Sequence, residues 1–487
     1  MDLSVCWWLF VSLILPRIFL TNSETYTSIQ SIIESFQHEK KIVSRVYGVL
    51  RQVDPGKDAL GVKQFRTFID ETSVVHERIK DAEEVEKFLK HPINIYHFIR
   101  RCAREWVKRA LPLVSAKDKR ISRKIFTELM GIFFEDRLWP RREDLVGVSL
   151  GLIRLQETYL LDFEELATGT LNGTSTDPLT IEEFYDIAMV ALEKWEPNLA
   201  VLWLNNTAQI LKEGNKTRYT SAHLYKIHRR MAEIYEDFGD YKAAIGTAER
   251  LLELDPWSNV AKDYLTFLQE KVQSHQSISL TEEKDANLIT KFKALCRGDL
   301  EKPDSRKRML HCYFKKSPIP YRPTKAELIN LVPDVYIFHD VIYQDEMNRI
   351  KELARNNLER SGIHSDADSI DTSDDRIITG LKTSTRIAPD YPYNEDLQVV
   401  NYGPGGYYTP HYDCINEPDY PIDSNLQIDD RFATLLFYLD DVDIGGATVF
   451  PAAEARAPAA QGSAVFWWNM YRNGTVDVRT LHAGCPV

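Results

Sequence analysis

The sequence predicts a multidomain α + β protein in which an all-α N-terminal half precedes a β-rich C-terminal domain. From Ile29 onward, apolar residues recur with a helical period, and strict alternation of apolar and polar residues is rare before about residue 330. After Leu331 the pattern changes to short runs of period two, separated by the turns GPGG and IGG. This change is typical of an antiparallel barrel or sandwich, and 487 residues suffice for roughly two to four domains.

The overall composition is that of a globular protein. Hydrophobic residues make up 44% and charged residues 27% of the chain, and the formal net charge is -12. A chain with this charge offers no basic surface to nucleic acid or to anionic lipid. Nucleic acid is therefore not expected as a partner.

Residues 1–23 are predicted to be a cleaved signal peptide. Their apolar run is broken by Pro16 and Arg17 and is too short to span a membrane. Asp2 precedes the run, and no Lys or Arg does, so an N-terminal anchor is the alternative. A secreted or lumenal chain would also carry glycans, and four acceptor sequons are present. They lie at Asn172, Asn205, Asn215 and Asn473.

One segment of the helical half has the pattern of a tetratricopeptide repeat. Residues 230–256 predict a helix, a turn at Gly239, a second helix with the small residues Ala244 and Ala248, and a terminating Pro256. With the helical pair before it, this hairpin would form a concave surface rich in aromatic residues. These residues are Tyr185, Trp195, Trp203 and Tyr235. Aromatic side chains at helical spacing pack in a core or, in a solenoid groove, dock a proline-rich peptide, and both interpretations stay open.

A polar stretch after Val272 predicts a linker, which we place at residues 271–329. It contains Cys296 and Cys312, which are close enough in sequence to close a short loop. In an oxidising compartment we expect a disulfide between them. Two free buried thiols are the alternative.

A candidate metal site lies in the β-rich region. In the stretch YYTPHYDCINEP, His411 and Asp413 are two residues apart, so on a strand both side chains lie on one face. A third ligand from a distant strand, for which His482 is a candidate, would complete the two-histidine, one-carboxylate triad that leaves coordination positions open at Fe(II). A second His-x-Asp pair, His364 and Asp366, lies in an acidic stretch without a flanking β pattern and is expected to be a solvated loop.

The C-terminal region resembles the catalytic domain of the prolyl hydroxylases that depend on Fe(II) and 2-oxoglutarate. The stretches that carry the resemblance are FHDVI, LQVVNYGPGGYYTPHYD, RFATLLFYLDDVDIGGATVFP and GSAVFWWNMYRNGTVDVRTLHAGCPV. The helical half adds HPINIYHFIRR, LGLIRLQETYLLD and LCRGDL. From about residue 25 to its end, the chain is similar to the alpha subunits of collagen prolyl 4-hydroxylases.

The resemblance implies a domain order and a role for each matching residue. It implies a helical dimerisation region at 24–138, a tetratricopeptide-like peptide-binding domain at 139–270, and a double-stranded β-helix (jelly-roll) dioxygenase domain at 330–487. His411, Asp413 and His482 match the catalytic iron ligands. Tyr402 and Thr448 match the 2-oxoglutarate pocket, whereas Tyr408 and Arg431 match positions that approach the substrate peptide; barrel packing is the alternative for these four residues.

The activity implied is hydroxylation of C4 of prolines in collagen-like X-Pro-Gly peptides, with Fe(II), O2 and 2-oxoglutarate as the reagents and L-ascorbate as the reductant that rescues the iron. The partners implied are a proline-rich, collagen-like polypeptide and protein disulfide isomerase as the beta subunit of an α2β2 tetramer. The location implied is the lumen of the endoplasmic reticulum.

Two features depart from the family pattern. The family continues beyond HAGCPV into a strand with a lysine that pairs with 2-oxoglutarate, and this sequence ends before that strand; the family partner of Cys485 would also lie there. The segment 382–397 is shorter than its family counterpart. An impaired subunit that binds proline-rich peptides and serves assembly is therefore an alternative function. A lysyl hydroxylase is a third, which the tetratricopeptide-like segment disfavours.

Overall fold

A computed structural model describes most of the chain. The described residues are 25–51, 60–79, 81–114, 129, 139–171, 173–213, 218–274, 286–316, 323–355, 376–381, 397–414, 430–442 and 444–487. The predicted signal peptide, the sequons at Asn172 and Asn215, the pair His364 and Asp366, and most of the short segment 382–397 lie outside them. In the part that is described, no helix has the length and apolar character needed to cross a membrane.

The chain divides into two compact units. The first comprises Met1–His91, Ile95–Gly147 and Asn357–Asn401, and the second comprises Pro92–Asn94, Val148–Asn356 and Tyr402–Val487.

The first unit is mainly helical. Its helices are α1 (Ile29–Leu50), α2 (Leu60–Arg78), α3 (Ala82–Leu89), α4 (Pro92–Arg100) and α5 (Trp106–Val114). Residues 142–147 of α6 (Arg142–Tyr159) are also assigned to the first unit, and residues 148–159 are assigned to the second. Ser28 caps the start of α1 through its side-chain oxygen, and Asp81 does the same for α3. Strand β6 (Arg376–Leu381) pairs with β7 (Leu397–Val400).

A buried carboxylate lies in the core of this unit. Both oxygens of Glu39 accept hydrogen bonds from Arg101, at 2.9 and 2.7 Å, and Trp106 Nε1 donates to Oε1 at 2.8 Å. His76 Nε2 lies 2.9 Å from Oε2. Burial alone would raise the pKa of Glu39, but the contacts with Arg101 and His76 outweigh it and hold that pKa well below its usual range. The carboxylate is therefore paired and hydrogen-bonded, as a buried charge must be.

The helices of the second unit form a sequential array. Those that follow α6 are α7 (Phe163–Thr168), α8 (Ile181–Glu193), α9 (Pro197–Glu213), α10 (Arg218–Asp237), α11 (Tyr241–Leu254), α12 (Asn259–Ser274), α13 (Ala286–Arg297), α14 (Asp304–Lys307) and α15 (Gln344–Arg355). A short hairpin of β1 (Thr170–Leu171) and β2 (Thr174–Ser175) lies between α7 and α8. From α8 to α12, each helix packs against the next one in the sequence. The described residues of the N-terminal half are thus helical, as predicted, apart from this small hairpin.

The hairpin of α10 and α11 forms as its local sequence predicts. Gly239 has a φ of +81°, which only a residue without a side chain adopts easily, and Asp240 caps α11 by accepting from the Ala243 amide. Ala244 and Ala248 are completely buried and pack against Leu268 of α12. Small side chains at these positions let the helices approach closely.

The C-terminal part of this unit contains two antiparallel sheets. The strands are β3 (Cys312–Lys315), β4 (Thr324–Leu331), β5 (Asp334–His339), β8 (Tyr408–His411), β9 (Ala433–Phe437), β10 (Thr448–Phe450), β11 (Ala455–Ala457), β12 (Ala464–Trp468) and β13 (His482–Gly484). One sheet has the order β3-β4-β5-β12-β9 and the other has the order β11-β10-β13-β8. Val335, Val465 and Trp467 of the first sheet share a core with Phe450 and Ala457 of the second. The predicted β-rich C-terminal region is confirmed.

The predicted boundaries around the linker need correction. The segment 271–329 contains α13, β3 and most of β4, and both strands belong to the five-stranded sheet. The β-rich region therefore begins at Cys312 and not at residue 330. In β4, Ala326 and Leu328 are buried, but the next inward-facing residue is the polar Asn330 and the apolar Ile329 is only half-buried, so the sequence alternation breaks within the strand.

The predicted disulfide between Cys296 and Cys312 is wrong. In the structure, Cys296 is bonded to Cys485, and Cys312 is an exposed free thiol on β3. The reason is the packing of α13 on the four-stranded sheet, where Leu295 and Cys296 lie in one buried cluster with Ala483 and Cys485. Cys312 lies on the other sheet, opposite Glu327 of β4.

Candidate metal centre

Two neighbouring strands bring the three predicted ligands together. Strands β8 and β13 are antiparallel, and His411 lies directly opposite His482, so both rings are on one face of the sheet. Asp413 follows two residues after His411. Its Oδ1 is 3.6 Å from His411 Nε2, and its Oδ2 is 3.6 Å from His482 Nε2. One atom of each side chain lies within 4.8 Å of the other two, which suits a single metal ion.

Backbone contacts set the tautomer of each imidazole. His411 Nδ1 donates to the carbonyl oxygen of Thr409 at 2.8 Å, and His482 Nδ1 donates to that of Thr480 at 3.0 Å. A carbonyl oxygen only accepts, so Nδ1 carries the proton and the lone pair of the neutral ring is on Nε2. Both Nε2 atoms lie on the side of Asp413. The donor set therefore fits a metal ion without rotation of either ring.

Asp413 has the charge that a metal ligand requires. Burial alone would raise the pKa of Asp413, but contacts with His411, His482 and the Thr434 hydroxyl outweigh it and hold that pKa well below its usual range. Thr434 Oγ1 donates to Asp413 Oδ2 at 2.5 Å. The carboxylate is therefore ionised at neutral pH.

The surroundings of the trio are apolar on one side. His482 is only 4% exposed, and its ring centroid lies 4.6 Å from that of Trp467 and 5.8 Å from that of Phe450. His411 and Asp413 are half-buried. Water is thus excluded behind His482, and the more accessible side of the trio is the one formed by His411 and Asp413.

Of the four other residues predicted for this site, Tyr408 and Arg431 contact the trio, whereas Tyr402 and Thr448 lie beside Gly484 of β13. Thr448 is the register partner of Gly484, which follows His482 by two residues on the same face. A side chain at Gly484 would place its Cβ 3.3 Å from Tyr408 Cβ and 3.6 Å from the Tyr402 hydroxyl. Glycine therefore leaves space next to His482, bordered by these hydroxyl-bearing residues. Arg431 Nη1 approaches the backbone oxygen of Asp413 at 3.5 Å.

Helix α6 contacts the ends of both ligand-bearing strands. Arg154 Nη1 donates to the carbonyl oxygen of Gly405 at 2.5 Å, in the turn that leads into β8. The Tyr159 hydroxyl donates to the carbonyl oxygen of Pro486 at 2.6 Å, just after β13. The Gly405 amide donates in turn to the Val487 oxygen at 2.7 Å. One rigid helix thus contacts the segment before His411 and the segment after His482.

Comparison with known proteins places this site in a family. Residues 28–173 match the family described as prolyl 4-hydroxylase alpha-subunit, N-terminal region, and residues 397–487 match the 2OG-Fe(II) oxygenase superfamily. The chain is 30% identical to prolyl 4-hydroxylase subunit alpha-1 of Gallus gallus over 444 residues, which is 83% of this chain and 84% of the relative. The chain belongs to the prolyl 4-hydroxylase alpha subunits.

A second relative agrees with this assignment. Prolyl 4-hydroxylase subunit alpha-2 of Gallus gallus is 28% identical over 518 residues, or 96% of this chain and 92% of the relative. A solved structure of a viral collagen prolyl hydroxylase from Paramecium bursaria Chlorella virus-1, a complex with 2OG, is 24% identical. The superposition covers 31% of this chain and 88% of the viral chain, and its TM-score of 0.24 is too low to bear on the fold. By family, the β-rich region is a 2OG-Fe(II) oxygenase domain, and the alpha subunit is a 2-oxoglutarate-dependent dioxygenase.

The aromatic residues predicted for peptide binding lie in the helical array and not in the two sheets. The ring of Trp195 is 80% exposed in the turn between α8 and α9, and Tyr185 and Tyr235 are half-buried. Trp203 is 0% exposed and packs against Phe163 and Phe184. The prediction is wrong for Trp203, because a ring without exposed surface is part of the core.

Sequence reasoning missed three polar residues that support this site. Thr434 contacts Asp413, Asn469 contacts Thr434, and the Tyr438 hydroxyl donates to Thr448 Oγ1 at 2.7 Å. The available signal was the period of two in RFATLLFYL, which predicts a strand with Thr434 on one face. In the structure Thr434 lies opposite Trp467, so its side chain is on the inward-facing side of the sheet. Alternation gives the face of a residue but not its partner on the other sheet.

Two of the predicted sequons can be placed. Asn473 is exposed in a turn, where its side-chain oxygen accepts from the Thr475 amide at 3.1 Å and from the Thr475 hydroxyl at 2.7 Å. Asn205 is exposed on α9, but Thr207 of the same sequon is buried and bonded to the Trp203 carbonyl. Of these two sequons, only the one at Asn473 is fully accessible in the folded chain.

Proposed function

We propose that this alpha subunit is a procollagen-proline 4-dioxygenase, which hydroxylates C4 of prolines in collagen-like X-Pro-Gly peptides. In this reaction O2 supplies one oxygen atom to the proline and one to 2-oxoglutarate, which leaves as succinate and CO2. The observation that carries the proposal is the trio of His411, Asp413 and His482 within a 2OG-Fe(II) oxygenase domain. Their two Nε2 atoms and one carboxylate suit Fe(II) and leave coordination positions open.

The metal would be held by His411 Nε2, His482 Nε2 and one oxygen of Asp413. Bound Fe(II) supplies the redox chemistry that couples decarboxylation of 2-oxoglutarate to hydroxylation. The protein contributes geometry: three ligands on one side, and Trp467 behind His482 to exclude water.

The 2-oxoglutarate site is proposed beside Gly484. The Tyr402 hydroxyl lies close to Gly484, and Thr448 is the register partner of this glycine; both side chains carry a hydroxyl group that could donate a hydrogen bond to a carboxylate. Tyr408 and Arg431 lie on the side of His411 and Asp413, which is the more accessible side. We assign to them the orientation of the target proline relative to the metal.

The helical array is proposed to bind the substrate chain away from the reacting proline. The sequential packing of α8 to α12, with small residues between α11 and α12, supports a tetratricopeptide-like domain at 139–270. Tyr185, Trp195 and Tyr235 are its candidate contacts, because aromatic rings dock polyproline II helices. The helices at 24–138 are proposed as a dimerisation region, and the two sheets as a double-stranded β-helix.

The remaining assignments concern the setting of the enzyme. We infer that residues 1–23 direct the chain to the endoplasmic reticulum lumen, where the sequons would be glycosylated. There, protein disulfide isomerase would serve as the beta subunit of an α2β2 tetramer, and L-ascorbate would keep the iron reduced. The family resemblance supports these assignments.

The test is the peptide-dependent turnover of 2-oxoglutarate. The full chain, co-expressed with protein disulfide isomerase, is incubated with Fe(II), 2-oxoglutarate and a (Pro-Pro-Gly) repeat peptide, and succinate is measured. We expect peptide-stimulated succinate in the parent and none in Asp413→Ala. His311→Ala, which removes an exposed histidine on the approach to β3, is the matched control and should retain the activity. Peptide binding without any succinate from the parent would refute the enzyme assignment.

A further inference from the structure

A hydrogen-bond relay runs from the five-stranded sheet to the carboxylate of the metal centre. Asn469 Nδ2 lies 2.9 Å from Thr434 Oγ1, and Thr434 Oγ1 lies 2.5 Å from Asp413 Oδ2. Asn469 is 1% exposed, so solvent does not replace its contacts. Asp413 itself lies beyond the end of β8, where no strand pairing fixes its side chain.

The direction of each hydrogen bond in the relay follows from its chemistry. The amide group of Asn469 also contacts the carbonyl oxygen of Arg431 at 3.2 Å, and a carbonyl only accepts. The nitrogen of the Asn469 amide therefore faces Arg431 and Thr434, and it donates to both. Thr434 Oγ1 accepts from Asn469, which leaves its single proton for Asp413 Oδ2.

The relay is anchored by main-chain contacts. The backbone N–H of Asn469 donates to the backbone oxygen of Phe432 at 2.9 Å, and the backbone oxygen of Asn469 accepts from the backbone N–H of Asp477 at 2.9 Å. Thr434 lies in β9, paired with β12 opposite Trp467. Both members of the relay are therefore held by the sheet that does not carry the histidine ligands.

We propose that Thr434, oriented by Asn469, is a positioning residue that fixes the Asp413 carboxylate for metal binding. The hydrogen bond from the hydroxyl to Oδ2 sets the orientation of the carboxylate, so Asp413 would be held in position to bind a metal together with His411 and His482. The inference rests on the metal site of the proposed function and adds the residues that set its geometry. Partners of this kind contribute about 10- to 100-fold to metal affinity.

The experiment measures metal binding directly. Co(II) is titrated into the full chain, co-expressed with protein disulfide isomerase, and the visible spectrum reports both affinity and coordination geometry. Thr434→Val keeps the shape of the side chain and removes the hydroxyl, and we expect its Co(II) Kd to rise about 10- to 100-fold with an altered spectrum. Thr434→Ser restores the hydroxyl and should restore the Kd to within a few-fold of the parent.

A double variant tests whether Asn469 acts through Thr434. Asn469→Ala alone should raise the Kd, whereas Asn469→Ala combined with Thr434→Val should bind Co(II) no more weakly than Thr434→Val. Thermal unfolding of each variant is recorded as well. A merely structural role would lower the melting temperature and leave the Kd of the folded protein unchanged, and that result overturns the proposal. If Thr434→Val does not fold, Thr434→Ala, which leaves room for a water molecule, replaces it.

The parent and His482→Ala separate this inference from the proposed function. If the parent binds no Co(II), or binds it equally well without His482, the metal site itself is wrong. If the parent binds Co(II) through His482 and hydroxylates the peptide, but Thr434→Val has the parent Kd, the proposed function stands and the positioning role is refuted.

Discussion

Gly151 is the point at which helix α6 comes closest to the turn before β8. A Cβ atom on this residue would lie 2.3 Å from the carbonyl oxygen of Pro404 and 3.6 Å from Gly405 Cα. The contact is equally close from the other side, because a Cβ on Gly405 would lie 2.4 Å from Gly151 Cα. The substitution Gly151→Ala must therefore push the helix and the turn apart by at least about 0.7 Å to reach a separation of 3.0 Å.

The net effect of Gly151→Ala on stability is a loss of up to about 2 kcal/mol. Overpacking against a backbone atom costs about 1–3 kcal/mol, and the gain in helix propensity offsets about 1 kcal/mol of it. The effect on activity should be larger, because the displaced turn leads directly to His411. A displacement of about 1 Å at a catalytic site costs on the order of 100-fold in rate.

The matched control is Gly246→Ala in α11, where a Cβ meets no atom within 4 Å. This change should stabilise the protein by about 0.5–1 kcal/mol and leave turnover unchanged. Thermal unfolding and kcat/KM for a (Pro-Pro-Gly) peptide are measured for both variants. If Gly151→Ala gains stability as Gly246→Ala does, with full activity, the close contact between α6 and the turn does not exist.

Three further predictions concern other parts of the structure. Glu39→Leu leaves the half-buried Arg101 without its carboxylate partner and should lower the free energy of unfolding by about 3 kcal/mol, the lower end of the range for buried pairs because the Arg101 side chain is 16% exposed; denaturant unfolding measures it. In the parent, the contribution of Glu39 is present above its ordinary pKa of 4.5 and is lost as the pH falls through the lowered pKa, so a parent whose stability does not change in acid would contradict the pairing. Burial, together with the nearby cations Lys212 and Arg250, lowers the pKa of His228 to about 4. The contribution of neutral His228 to the free energy of unfolding is therefore complete above pH 6.5 and declines as the pH falls from 6.5 towards 4. His228→Gln should flatten that decline in thermal unfolding, and an unchanged pH profile would refute the role of His228. Non-reducing peptide mapping should recover Cys296 linked to Cys485, and Cys485→Ser should lose about 2–5 kcal/mol; recovery of any other partner for Cys296 would contradict the pairing.

Features that depend on local sequence could be predicted. The hairpin of α10 and α11 formed as expected, because Gly239, Asp240 and Pro256 each act on the backbone of their own neighbours. The grouping of His411, Asp413 and His482 was expected from the family pattern, whereas the strand on which His411 and Asp413 were expected to lie ends at His411. These features need no knowledge of how distant elements pack.

Features that depend on packing between distant elements could not be predicted. Cys296 pairs with Cys485 because α13 packs on the outer side of β13, a contact that sequence spacing does not report. Trp203 has the helical spacing of its aromatic neighbours, but its ring is enclosed by Phe163 and Phe184. The contact of Thr434 with Asp413 joins the two sheets, so neither strand pattern alone contains it.

The most direct test of the central claim is the fate of labelled dioxygen. The alpha subunit, co-expressed with protein disulfide isomerase, is incubated with Fe(II), 2-oxoglutarate, labelled O2 and a (Pro-Pro-Gly) peptide, and the peptide is analysed by mass spectrometry. We predict one labelled oxygen atom at C4 of the modified prolines, equimolar succinate, and no label with His482→Ala. A parent that incorporates no label, or a His482→Ala variant that incorporates it as well as the parent, would contradict the assignment of His411, Asp413 and His482 as the iron centre of a proline 4-dioxygenase.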